Sequence, residues 1–167
     1  MAFDGIHHAE ILSHEAHQWQ IALQMKDVAE IKSYEDGSFT DTGSPHFVQC
    51  KENIDEMDVY QEGKALRYDP RFANGCNVNF VTPKDNGIHV RTYERGVENE
   101  TLSCGTGVTA SALVWALKQQ LHDGAHTIPV HTLGGNLTVK FQKKKETFHN
   151  IYLEGTVVHA FSGEGWI

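Results

Sequence analysis

The stretch GVTASALVWALKQQL, residues 107–121, carries no charged side chain before Lys118. A helix that is apolar on all sides has to be buried, because none of its faces is suited to water. Such a helix needs a surrounding layer, and the sequence on either side of it supplies strands. We therefore predict an α+β domain in which a curled, mixed and mostly antiparallel β-sheet wraps one central buried α-helix.

Alternating apolar and polar residues lie on both sides of this helix and predict strands. The predicted strands are residues 17–26, 46–50, 77–82, 88–94, 126–133, 137–143 and 148–161. Asn86-Gly87 predicts a hairpin between two of them, and Gly-Gly-Asn at 134–136 predicts a further turn. Residues 34–47 are interpreted as a turn region. Residues 54–68 are interpreted as a surface helix with acidic residues early and basic residues late.

The composition excludes several classes of function. Lys and Arg number 14 against 22 Asp and Glu, so nucleic acid is not expected as a partner, and the lysine run at 143–145 is interpreted as a solvated strand end. No apolar run approaches the roughly 20 residues that a transmembrane helix needs. Eleven histidines suggest a metal, but the spacing of His7, His8, His14 and His17 fits no compact zinc site, and none is expected.

The three cysteines, Cys50, Cys76 and Cys104, are widely spaced and form no Cys-x-x-Cys pair. An odd set of this kind, in a chain without a signal-like apolar start, indicates reduced thiols, and we expect a cytoplasmic protein. Cys50 and Cys76 are interpreted as small buried apolar residues.

Cys104 differs from the other two because it directly precedes the buried helix in ETLSCGTGVTA, residues 100–110. The free N–H groups and the dipole at the start of a helix stabilise a thiolate, so we predict that the pKa of Cys104 falls below the free value of about 8.5. Gly105 and Gly107 remove the side chains on either side of Thr106. The loop could then hold a carboxylate against bare amides beside a reactive sulfur.

Three motifs resemble those of the diaminopimelate epimerase family. The run RTYERGVENETLSCGTGVTASA, residues 91–112, resembles the second catalytic motif of that family, with an acidic spacer one residue longer than the commonest form. GSPHFV at 43–48 resembles its Gly-Asn-Pro-His segment, and NVNF at 77–80 resembles its substrate-binding asparagine strand. The resemblance covers nearly the whole chain in order.

The resemblance implies a two-lobed enzyme in which each lobe has a central helix inside a curled sheet and supplies one cysteine. The cysteine motif of the first lobe has no counterpart here, and Cys76 in NGCNVNF falls in the asparagine strand instead. We therefore expect residues 1–167 to form a single domain, the C-terminal catalytic lobe, with the N-terminal lobe absent from this chain.

The resemblance also assigns roles to the helix start and to the charged pair before it. Cys104 would be one acid/base, and Gly105 and Thr106 would bind the carboxylate of the reacting carbon. Glu94 would serve catalysis and bind the substrate ammonium, whereas Arg95 would bind a carboxylate in bidentate fashion. Without the resemblance, Glu94 and Arg95 could equally form an exposed ion pair.

Three residues outside the cysteine motif complete the expected site. Asn77 matches a substrate-contacting asparagine, and His46 matches a catalytic histidine near the thiols. Ser44 stands where the family more often has a substrate-contacting asparagine, and its hydroxyl is shorter. Alone, Asn77 would be an ordinary strand-edge residue, and His46 would be a turn residue whose ring faces water.

The implied activity is the interconversion of LL- and meso-2,6-diaminopimelate, for lysine and peptidoglycan precursor biosynthesis. Two cysteines would act as bases without pyridoxal phosphate or another cofactor, one as thiolate and one as thiol. Two alternatives stay open: a proline or hydroxyproline racemase-like enzyme, which also carries Cys-Gly-Thr-Gly, and a lone lobe serving as a non-catalytic binding or assembly module. The isolated chain is expected to be inactive without the other lobe and to self-associate through exposed apolar surface.

Overall fold

The computed structural model describes residues 6–164 and contains eleven strands and two helices within them. In chain order these are β1 (Ala9–Glu15), β2 (Gln18–Gln24), β3 (Lys32–Tyr34), β4 (Gly37–Asp41), β5 (Pro45–Cys50), α1 (Val59–Arg67), β6 (Asn77–Lys84), β7 (Gly87–Glu94), β8 (Asn99–Thr101), α2 (Gly105–Lys118), β9 (Gly124–Thr132), β10 (Gly135–Lys144) and β11 (Thr147–Val158).

All strands belong to one mixed sheet, in the order β1-β2-β11-β10-β9-β7-β6-β5-β4-β3, and β8 pairs with β7 beside this path. Two neighbouring pairs, β5 with β6 and β7 with β9, are parallel, and the other pairs between the described strands are antiparallel. The predicted α+β class, with a mixed and mostly antiparallel sheet, is confirmed.

Helix α2 is the centre of the larger hydrophobic core. It packs against β4 to β7 and β9 to β11, and Val108 and Leu113 have no exposed surface. The predicted burial of this helix is therefore confirmed, because the sheet covers it on several sides. The helix begins at Gly105, directly after Cys104 as predicted; Cys104 is its N-cap, and the Cys104 carbonyl accepts the N–H of Val108.

Helix α1 covers a second, smaller core on the opposite side of β6 and β7. Phe47, Phe80 and Tyr93 lie in this core and are fully or almost fully buried. The helix begins at Val59 rather than at residue 54, because the carboxylate of Asp58 accepts the N–H of Gln61 and caps it.

Strand alternation places the polar residues of β5 to β7 beneath α2. Phe47 and Phe80 point towards α1, so the residues one position away in the same strands point to the other face. His46, Asn77, Asn79 and Thr92 thus gather at the N-terminal end of α2.

The strands and turns of the structure differ in places from those predicted from the sequence. Residues 9–15 form β1, although every residue in it is exposed and no alternation marks it; its pairing with β2 creates the strand. The region 34–47 contains β3, β4 and the start of β5 in addition to turns. The predicted hairpin exists, but its turn is Asp85-Asn86, and Gly87 already pairs with Lys84; a Cβ at Gly87 would overlap the carbonyl of Pro129.

Neither described helix has the length and apolar character that crossing a membrane would demand.

Candidate active site

Four of the predicted site residues form one hydrogen-bonded cluster at the start of α2. Ser44 Oγ lies 3.0 Å from His46 Nε2 and 3.3 Å from Thr106 Oγ1. Asn77 Nδ2 donates to Ser44 Oγ at 3.0 Å. Three motifs that are far apart in sequence, at 43–48, 77–80 and 104–107, therefore meet in one place.

His46 is the buried centre of this cluster. It has no exposed surface, and its Nε2 lies 2.9 Å from Thr106 Oγ1 while its Nδ1 lies 2.8 Å from Asn79 Oδ1. Burial lowers the pKa of His46 to about 4, against the partial opposing effects of the Asn79 hydrogen bond and Asp41, so the ring is neutral near pH 7. The interpretation of His46 as a water-facing turn residue is wrong. The ring is connected to Cys104 Sγ through the hydroxyl of Thr106, and its catalytic role stays a prediction.

Cys104 occupies the N-cap of α2 in an extended conformation, with φ −129° and ψ 110°. Its side chain is partly buried, and Sγ lies 3.5 Å from Thr106 Oγ1. The hydroxyl of Thr106 therefore stands between the sulfur and the imidazole.

The predicted direction of the Cys104 pKa is wrong for this chain. Burial raises the pKa of the Cys104 thiol, and the carboxylate of Glu94 raises it further. The Thr106 hydroxyl and the backbone amides of Thr106 and Gly107 do lower it, as the helix-start argument requires, but they do not offset the desolvation of the sulfur. The prediction from the sequence included the effect of the amides on the pKa but not the effect of burying the sulfur.

The two glycines of the motif have different surroundings. A Cβ at Gly107 would overlap Asn79 Nδ2 and lie 3.2 Å from His46 Cε1, so this glycine makes room for the His46–Asn79 pair. A Cβ at Gly105 would meet only the end of the Leu153 side chain, at 3.0 Å. The close approach of a carboxylate to this loop stays a prediction.

Glu94 and Arg95 are partly buried, and within residues 6–164 neither takes part in an ion pair. Glu94 Oε2 accepts a hydrogen bond from Thr101 Oγ1 at 3.0 Å, and Arg95 Nη1 donates to the carbonyl of Asn74 at 3.2 Å. Arg95 also lines an open cleft of about 410 Å³. Neither charge therefore has an opposite side-chain charge within ion-pair distance among the described residues. Asp41 lines the same cleft as Arg95, whereas Glu94 and Cys104 do not line it.

The amide of Asn77 is fully engaged with the protein. Its Oδ1 accepts the backbone N–H of Arg95 at 2.8 Å, and its Nδ2 donates to Ser44 Oγ and to the carbonyl of Pro45. Asn77 thus ties the start of β5 to the turn after β7, which is a structural task that the predicted substrate contact did not include.

Sequence reasoning missed Asn79 and Thr92. Asn79 holds the Nδ1 side of His46, and its Nδ2 donates to Thr92 Oγ1 at 2.7 Å. Asn79 could have been found, because it lies two residues after Asn77 in a predicted strand and must share its face. Thr92 could not have been found in this way, because its position opposite Asn79 depends on the register between β6 and β7.

All three cysteines are free. Cys76 is completely buried and burial raises its pKa to about 12, whereas Cys50 is partly buried with a pKa that burial also raises. Both lie in or against the cores, as interpreted from the sequence. Among residues 6–164, no three His, Cys, Asp or Glu side chains are grouped closely enough to hold a metal ion.

Comparison with known protein sequences identifies one family. The sequence model of the diaminopimelate epimerase family matches residues 38–160. A diaminopimelate epimerase from Flavobacterium psychrophilum is 41% identical over 163 residues, which cover 96% of this chain and 61% of that protein. One from Aquifex aeolicus is 43% identical over 132 residues, covering 76% of this chain and 45% of that protein. The chain thus spans about half the length of the curated relatives that it matches.

Comparison with solved structures supports the fold. A Bacillus anthracis protein of the PhzF family, described as a phenazine biosynthesis protein, superposes with a TM-score of 0.70 at 15% identity, over 93% of this chain and 64% of that chain. A probable proline racemase from Agrobacterium radiobacter, solved with bound carbonate, also superposes with a TM-score of 0.70 at 14% identity, over 97% of this chain and 58% of that chain. At this level of identity the likeness concerns the fold alone.

Proposed function

The chain belongs to the diaminopimelate epimerase family, and from this premise we propose that it forms one half of an amino-acid epimerase that interconverts LL- and meso-2,6-diaminopimelate. The chain would be the C-terminal catalytic lobe, and an N-terminal lobe would supply the second thiol. The activity would serve lysine and peptidoglycan precursor biosynthesis. We place it in the cytoplasm, because the chemistry needs a reduced thiol.

The observation that carries this proposal is the position of Cys104 at the N-cap of a buried helix, with the carboxylate of Glu94 near enough to raise the pKa of its thiol. Epimerisation requires removal of the α-proton from one face of a carbon and delivery of a proton to the other. Cys104 serves one face: as thiolate it takes the proton, and as thiol it gives one back in the reverse direction. Two positioned thiols supply both transfers, so the reaction as proposed needs no cofactor.

The charges around Cys104 suit an ionised amino acid. The backbone amides at Gly105 and Thr106 bind the α-carboxylate, and they stabilise the negative charge that develops when the α-proton leaves. Glu94 attracts an ammonium group, and the Arg95 guanidinium in its cleft binds a carboxylate. A substrate with an amino-acid group at each end can provide partners for both Glu94 and Arg95 while its α-carboxylate binds the amides. Proline has only one amino-acid group.

The substrate assignment can be tested with a fused protein. This chain would be joined to the remaining part of the F. psychrophilum protein, and incorporation of deuterium from D₂O at the α-carbon would be followed by NMR. We expect exchange on diaminopimelate and none above background on L-proline or hydroxyproline. Exchange on proline at the higher rate would replace the assignment with the racemase alternative.

The same assay tests the need for a second lobe. The 167-residue chain alone should show no epimerisation, because one face of the carbon lacks a proton donor and water has free access. Full turnover by the isolated chain would contradict the two-lobe proposal. Absence of turnover in the fused protein as well would favour the alternative of a non-catalytic module.

A further inference from the structure

Three polar atoms form a small triangle next to the sulfur of Cys104. His46 Nε2 lies 2.9 Å from Thr106 Oγ1 and 3.0 Å from Ser44 Oγ, and the two hydroxyl oxygens are 3.3 Å apart. Only Thr106 of this triangle reaches Cys104 Sγ, at 3.5 Å. Two hydroxyl groups therefore compete for one ring nitrogen.

The surrounding asparagines fix which ring nitrogen can accept a hydrogen bond. A backbone N–H can only donate, so the N–H of Arg95 orients Oδ1 of Asn77 towards itself. The Nδ2 group of Asn77, which can only donate, then faces His46 Nε2 at 3.5 Å. If Nε2 also carried a hydrogen, two donors would face each other without an acceptor. On the other side of the ring, Asn79 Oδ1 accepts from Nδ1. The neutral ring thus carries its hydrogen on Nδ1, and Nε2 is an acceptor with a single lone pair.

We propose that Ser44 is a positioning residue that acts on Cys104 through Thr106: the two hydroxyls alternate as the donor to His46 Nε2, and the alternation follows the protonation state of the sulfur. This inference deepens the proposed function and rests on it, since it concerns a cysteine that exchanges a proton. It gives Ser44 a task other than contact with substrate.

The two states differ only in the rotation of hydroxyl groups. When Cys104 is a thiol, Thr106 donates to His46 Nε2, and its oxygen accepts hydrogen bonds from the S–H and from Ser44. When Cys104 is a thiolate, Ser44 donates to Nε2, and Thr106 turns its hydrogen to Sγ. The proton that leaves the sulfur goes to the substrate carbon, and no proton crosses the triangle. Without Ser44, Thr106 could stabilise the thiolate only by leaving Nε2 with no hydroxyl donor.

Fixed charges surround the triangle from several elements. Glu94 at the end of β7 faces Cys104, whereas Asp41 at the end of β4 and Arg95 after β7 face His46. None of these charges is changed when Ser44 is replaced by alanine. A change in the titration of Cys104 in that variant would therefore come from the hydroxyl groups.

The test is the pH dependence of iodoacetamide alkylation at Cys104 in the 167-residue chain, read by peptide mass spectrometry so that the other cysteines do not interfere. Ser44→Ala should raise the pH midpoint by roughly half a unit to one unit, the net value of one typical hydrogen bond. Ser44→Thr keeps a hydroxyl and should leave the midpoint unchanged. In a Thr106→Val background, Ser44→Ala should produce no further shift.

Two kinds of result, one from alkylation and one from NMR, would overturn the inference. The first is an unchanged midpoint in folded Ser44→Ala, or a shift of the same size with and without the Thr106 hydroxyl. The second is an ¹⁵N spectrum of His46 at pH 7 that shows the hydrogen on Nε2, whereas we expect it on Nδ1. Neither readout needs substrate or turnover. The inference can therefore fail while the epimerase assignment holds, and the epimerase assignment can fail while the inference holds.

Discussion

His46 Nε2 and Thr106 Oγ1 lie 2.9 Å apart although 60 positions separate the two residues in sequence. This hydrogen bond joins the start of β5 to the first turn of α2. It also places a neutral imidazole one hydroxyl away from the sulfur of Cys104. Each motif taken separately is a short polar segment, and this contact makes the motifs parts of one site.

The buried ring of His46 should make stability depend on pH. The pKa of His46 is lowered by burial to about 4 in the folded chain, against about 6.5 when unfolded. Between these values the unfolded chain binds a proton that the folded chain does not. The free energy of unfolding therefore does not depend on His46 above about pH 6.5. It falls by about 3 kcal/mol in total as the pH decreases to about 4.

Denaturant unfolding of the unaltered chain and of His46→Gln, at several values between pH 7 and pH 4.5, measures this contribution. The variant should be less stable at pH 7 and should lose less stability on acidification. Equal slopes for the two proteins would show that His46 is not held neutral by the fold.

Replacing Gly107 by alanine should destabilise the chain by about 1–3 kcal/mol, the usual cost of overpacking. The new methyl group would displace the amide of Asn79 from His46. Gly105→Ala is the matched control, because its methyl group meets only the end of Leu153 and alanine favours helix by about 1 kcal/mol. Urea unfolding of both variants compares them, and a Gly107→Ala protein as stable as Gly105→Ala would refute the packing argument.

The three thiols should react with iodoacetamide at different rates. Cys76 is fully buried, and burial raises its pKa to about 12, so it should stay unmodified in the native chain near pH 8. Cys104 is accessible in part and should be alkylated before Cys76, with a rate that increases as the pH rises towards its elevated pKa. Mass spectrometry of the digested protein gives the order, and equal labelling of Cys76 would contradict the burial described above.

The chain should self-associate through the ribbon formed by β1, β2 and the end of β11. Strand β1 is an open sheet edge with every residue exposed, and the apolar side chains of Ile11 and Val158 are 63% and 56% exposed. Replacing both by lysine should shift sedimentation towards the monomer. The control Leu133→Lys, in the loop after β9, should not. A clean monomer of the unaltered chain at high concentration would count against this surface.

The central helix and the cysteine motif could be predicted from the sequence because their signals are local. The apolar run at 107–121 requires burial wherever it lies, and the N-cap position of Cys104 follows from the helix start. The identity of the residues around the thiol could be anticipated only because their motifs resemble those of a known family.

The remaining features depend on contacts that no local pattern records. Thr92 joins the site only through the register of β6 against β7, and β1 exists only because β2 pairs with it. The raised pKa of Cys104 has the same origin, since desolvation of the sulfur is a property of the packed chain. The need for glycine at position 107 also could not be predicted, because the side chain that a Cβ there would overlap belongs to a strand 28 residues earlier.

The most direct test of the account is α-carbon deuterium exchange on diaminopimelate by the fused two-lobe protein with Cys104→Ala, beside Cys50→Ala as the matched cysteine control. Cys50 belongs to β5, and its side chain packs against the main core. We expect Cys104→Ala to lose exchange by at least about a hundredfold, the low end for removal of a general acid or base, and Cys50→Ala to retain it. Full exchange by folded Cys104→Ala would show that another group moves the proton.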